Sequence, residues 1–186
     1  HFISPAALDI LLRAPFTPDD YEAFITERQR TIMDAIENLL IKERLDLAPP
    51  LRELDEKIEQ TELALRRAIA ERLEDNPSNL PQHVAQQLGE AIQRAAKKNA
   101  AIEPANYHEL SAKLEFADLR DLQQSITAKS TWPRFAPVFV NKNMLDTKFD
   151  QLAELRNGIR HSRTVNEITR KEGEAALLWF GELLEM

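Results

Sequence analysis

Five side chains suited to chemistry fall close together in this chain: Arg156, Asn157, Arg160, His161 and Arg163. An imidazole suits proton transfer because its reference pKa lies near neutrality. A guanidinium is permanently charged and donates two parallel hydrogen bonds, which suits a phosphate or a carboxylate. Asn157 would orient the imidazole or donate to a phosphate oxygen. Taken together, these groups fit an anionic ligand and a proton to be moved.

The element that must position them runs from Phe149 to His161. Phe149, Leu152, Leu155 and Ile159 recur at spacings of three and four, which predicts a helix with one apolar face. The polar cluster then sits at its end. Asn157 and His161 are four apart and so are neighbours, as are Arg156 and Arg160. Arg156 and His161 are five apart and diverge around the axis by roughly 140°. One copy of the helix does not converge them on one atom, whereas two copies packed together would. Arg and His at a helix C-terminus are also ordinary capping residues, favourable to the dipole and to the last carbonyls.

The segment Arg156-Asn157-Gly158-Ile159-Arg160-His161 resembles the Arg-polar-x-x-x-His signature of the HEPN superfamily. Leu114-Glu-Phe-Ala-Asp-Leu-Arg-Asp-Leu and Trp132-Pro-Arg-Phe are similar to helices that precede the motif in some branches. The similarity covers roughly residues 107–186. It implies an all-α domain that acts as a metal-independent endoribonuclease. On that resemblance, Arg156 and His161 of two protomers line a shared cleft, and Gly158 lets another helix come close. Catalysis falls to Arg156, His161 and Asn157, with Arg160 and Arg163 as accessory RNA contacts, and no metal or other cofactor is expected. The chemistry implied is attack of a ribose 2′-hydroxyl on the adjacent phosphorus, giving a 2′,3′-cyclic phosphate and a 5′-hydroxyl. A homodimer, an antitoxin or other protein partner, and a role in a toxin or phage-defence system are further implications. The alternative is a non-catalytic HEPN-like module that dimerises or binds a partner or nucleotide.

Other chemistries find little support. His83 and His108 have no partner at a metal-ligand spacing, and no His-Glu-x-x-His occurs. No Gly-rich phosphate loop, Gly-x-Ser-x-Gly elbow or dinucleotide fingerprint is present. The absence of Cys excludes disulfides, thiolate metal sites and cysteine nucleophiles, and is compatible with the expected cytoplasmic location. No apolar run approaches the length of a membrane span.

A net charge of −7 argues against a generally basic nucleic-acid-binding surface. The charge is uneven, however. Residues 129–171 carry nine Lys/Arg against four acids, whereas residues 1–100 carry thirteen against eighteen. The motif therefore lies in the part of the chain best suited to a polyanion.

With 186 residues, few Gly and many Ala, Leu, Glu and Arg, the chain fits one large or two small helical domains. Its start at His1 suggests a fragment of a longer protein. The expected organisation is 1–76, N-terminal helices including a long hairpin, and 77–186, a HEPN-like domain, with one continuous bundle as the alternative. Ser4-Pro5 and Thr17-Pro18 open helices reaching Leu12 and about Leu45. Pro49-Pro50 breaks the second, and a long helix follows over 51–73 with Leu54, Ile58, Leu65, Ile69 and Leu73 as its stripe. Its other face, dense in Glu, Lys and Arg, is expected in solvent. Further helices are expected at 82–98, 107–115 and 117–129, with a short turn at Trp132 and a β-like run at 138–140. The motif helix starts near Met144. The last helix starts at Asn166, with a stripe through Ile168, Ala175, Leu178 and Leu184 beside Trp179 and Phe180.

Overall fold

The computed structural model describes residues 26–31, 49–160 and 165–185, and these are mostly helical with no strand among them. The protein is all-α. The chain divides into two compact units, His1–Ala48 and Pro49–Met186. Of the first, residues 26–31 are helical and exposed, and the other helices expected there lie outside the described residues.

The second unit has seven α-helices among the described residues: α1 Pro49–Arg72, α2 Gln82–Lys98, α3 Leu110–Leu114, α4 Leu119–Thr127, α5 Trp132–Phe139, α6 Lys142–Arg160 and α7 Glu167–Leu183. The division falls before α1 rather than near residue 76. The physical reason is that α1 packs against α3, α4, α6 and α7, so its stripe completes the core of the later helices. Leu54, Ile58, Leu65, Ile69 and Leu73 are all buried.

Polar side chains fix where the helices stop and restart. Past α1, Glu74 and Asp75 both have positive φ, which turns the chain out of the helix. The Asp75 carboxylate then accepts from the Ser111 amide and hydroxyl, at 2.6 and 3.0 Å, capping α3. Asp118 and Asp121 form a reciprocal capping box at the start of α4. Asn166 accepts from the Thr169 amide at the start of α7, where the sequence predicts it.

Two local expectations change. Trp132 opens an eight-residue helix that absorbs Val138 and Phe139 from the β-like run. Pro133 suits its first turn, and the amphipathic spacing buries Phe135 and Phe139. On α7, Gly173, Ala176, Leu177 and Phe180 are buried, whereas Ile168 and Leu178 are 71% and 72% exposed. A Cβ on Gly173 would lie 2.6 Å from Leu155 Cβ, so α7 turns its glycine face to α6 and leaves Ile168, Ala175 and Leu178 of the expected stripe outside, with Leu184 half-buried. Phe180 meets Phe149 edge-on, with ring centroids 5.2 Å apart, and seals the contact between the two helices.

Candidate site at the end of helix α6

Helix α6 ends with Arg156–Arg160, the part of the motif among the described residues. Phe149, Leu152, Leu155 and Ile159 are all buried, which fixes the rotation of the helix about its axis. That rotation places Arg156 and Arg160 together against α1. Asn157, one residue further around, is exposed on the open side. His161 and Arg163 lie outside the described residues.

Both arginines meet acids. Arg156 Nε lies 2.8 Å from Glu62 Oε1, and Arg160 Nε lies 3.2 Å from Asp55 Oδ1. The second is a hydrogen bond. The first is close in distance but lacks hydrogen-bond alignment, so it acts as a charge–charge contact. The pairing of 55 with 160 and of 62 with 156 shows that α1 and α6 run antiparallel. The Glu62 and Asp55 side chains are 7% and 6% exposed, those of Arg156 and Arg160 25% and 35%. The acids are thus inside, and the arginines emerge past them with their stems covered.

Glu62 has a second cationic neighbour. Arg66, one turn along α1, places Nη2 3.5 Å from Glu62 Oε2. The same guanidinium donates to the carbonyls of Leu114 and Ala117, each at 2.9 Å, where α3 gives way to α4. A turn, two arginines and one buried carboxylate are therefore linked in series.

Sequence reasoning missed Asp55 and Glu62. They are seven residues apart, two turns, and fall on the same side of α1 as Ile58 and Leu65. Glu59 and Arg66 share that side at helical spacing, so the pattern of α1 by itself does not single the two acids out. Gly158 also differs from its expected role. A Cβ there would lie 2.7 Å from Cγ2 of Val165, so the space beside it is filled by the chain's own return after α6 rather than left for a partner helix.

A cleft of about 560 Å³ opens between α1 and α7, lined by Leu54, Lys57, Thr61, Arg170, Leu177 and Leu178 among others. None of Arg156, Asn157 and Arg160 lines it. Among the described residues, no helix is long and apolar enough to cross a membrane. No family model matches this chain, no curated protein matches it, and no solved structure matches it.

Proposed function

We propose that the second unit is a metal-independent endoribonuclease whose site is the end of α6, with Arg156, Asn157 and His161 as the reacting set. The observation that carries this reading is the pair of guanidiniums, Arg156 and Arg160, held at one helix end and still partly open to solvent. They lie in the most basic stretch of the chain. A phosphodiester gripped there has its non-bridging charge met by guanidinium donors. The His161 imidazole of one protomer takes the proton of the 2′-hydroxyl as its oxygen attacks phosphorus, and the P–O5′ bond breaks as the protonated His161 of the other protomer gives the leaving 5′-oxygen its proton. The products are a 2′,3′-cyclic phosphate and a 5′-hydroxyl. A homodimer supplies a second Arg156 and His161 to the same cleft, which answers the divergence of the two along a single helix. Asn157 orients the imidazole, and Arg160 with Arg163 holds flanking phosphates. RNA is the substrate class, and the setting that the HEPN resemblance implies is a toxin or phage-defence effector with an antitoxin or other protein partner.

The test is cleavage of a labelled oligoribonucleotide in EDTA. His161→Ala abolishes it without changing the fold, and Arg156→Lys, which keeps the charge against Glu62 but loses the planar fork, cuts it sharply. Arg156→Ala is the poorer choice because it also takes a cation from a buried carboxylate. Full activity in His161→Ala sinks the reading. A second reading, a non-catalytic module, is favoured by the two ion pairs themselves, since Arg156 and Arg160 tie α6 to α1 whether or not RNA binds. It predicts that His161→Ala is silent and that the wild-type protein yields no cyclic phosphate.

A further inference from the structure

From the linked charges between α1 and α6 we infer that Glu62 is a positioning residue, aiming the Arg156 guanidinium at the phosphate and setting the charge it presents. This rests on the endoribonuclease reading of the α6 end. A carboxylate almost sealed from solvent has few ways to be stable unless it faces cations. Glu62 faces two, and they are not equivalent. Arg66 is fixed by two backbone carbonyls, at 2.9 Å each, so it cannot swing toward a ligand. It stands 3.5 Å from Oε2 and leaves Oε1 to Arg156.

Arg156 has no such backbone anchor among the described residues and is the partly exposed member. Its Nε is buried beside Glu62, while the side chain as a whole is partly exposed. Contact through Nε leaves the Nη1 and Nη2 end of the plane as the part a phosphate would take. The carboxylate therefore acts by charge rather than by a hydrogen bond, drawing the Nε side of the arginine toward α1 and favouring the stem rotamers that keep it there. It also offsets part of the positive charge, so the site holds phosphate less tightly than a free arginine would. Orientation and weakened grip are two effects of one group, and they separate kinetically.

The experiment compares wild type, Glu62→Gln and Glu62→Asp. Single-turnover cleavage of a labelled oligoribonucleotide is followed in EDTA, and binding is measured with the same oligomer carrying a 2′-deoxy residue at the scissile position. Glu62→Gln keeps size and removes charge. It should tighten binding about threefold to fivefold, because one more uncompensated cation faces the phosphate. It should slow the bound-state step about tenfold or more, because a misaimed group at a reacting centre costs that much. A purely structural Glu62 would lower the active fraction and leave both the binding constant and the rate per folded molecule unchanged, and that result overturns the inference. If Glu62→Gln does not fold, Glu62→Asp, which keeps the charge and draws it back by one methylene, should slow the bound-state step at unchanged binding. An unchanged rate in that variant overturns it equally. If the wild type cleaves nothing, the nuclease reading fails by itself. The binding arm then decides whether Glu62 governs Arg156 at an anion site, with tighter binding by Glu62→Gln in favour and unchanged binding against.

Discussion

Two helical glycines make the packing of α7 on α6 measurable, because the same substitution should move stability in opposite directions. At Gly173 an added methyl would stand 2.6 Å from both Cβ and Cδ2 of Leu155 and 2.9 Å from its Cγ. Carbon atoms rest at about 3.5–4.0 Å, so the overlap is near 1 Å. The Leu155 Cβ is bonded to the backbone and cannot rotate away, so one helix must shift. Overpacking of this kind costs about 1–3 kcal/mol, and alanine returns about 1 kcal/mol of helix propensity over glycine. Gly173→Ala should therefore destabilise by up to about 2 kcal/mol, a fall of up to about 8 °C in Tm at this chain length. At Gly89 in α2 nothing lies within 4 Å of the added carbon. Gly89→Ala should then stabilise by about 1 kcal/mol, the propensity gain alone. Urea denaturation of both variants reads the difference, and Leu155→Ala in the Gly173→Ala background should cost less than the sum of the single changes. Equal shifts of one sign at the two glycines would refute the close approach of α7 to α6.

Two further predictions concern the backbone and pH. Val140 sits at φ 57 and ψ −52 in the link from α5 to α6, a conformation costly for a branched side chain, and it is 80% exposed, so little packing depends on it. Val140→Gly should raise stability by about 1 kcal/mol after the entropy of the freer unfolded chain is counted, read as a higher urea midpoint, and a lower midpoint refutes the strain. Burial, with the Asp118 charge beside it, holds the Asp121 carboxyl above the ordinary Asp range, partly offset by the hydrogen bond from the Asp118 amide. The folded protein therefore binds this proton more tightly than the unfolded chain. The resulting stabilisation is full below the unfolded value of about 3.9 and is lost as pH rises through the raised folded value. The stability difference between wild type and Asp121→Asn should change across that window, and a difference constant with pH is the contrary result.

The local rules were legible in the order of residues. Asn166 caps α7 because a capping carbonyl acts within one turn, whereas Pro49 and Pro50, expected only as a break before residue 51, form the first residues of α1, where a missing amide is tolerated. The stripe of Phe149, Leu152, Leu155 and Ile159 alone set which side of α6 faces inward, since one apolar face has one way to be buried. For α7 the same logic pointed to Ile168, Ala175 and Leu178. Hydrophobicity gives a glycine no weight, yet Gly173 decides the facing by letting the backbones approach. The acids of α1 show the other limit. Asp55 and Glu62 look like surface charges on their own helix, and whether a carboxylate is buried depends on a cation arriving from elsewhere. Arg160 comes from 105 residues away to meet Asp55, and Arg156 likewise to meet Glu62. Only the antiparallel docking of α6 on α1 brings those charges together, because pairing across the core follows distance in space rather than distance along the chain.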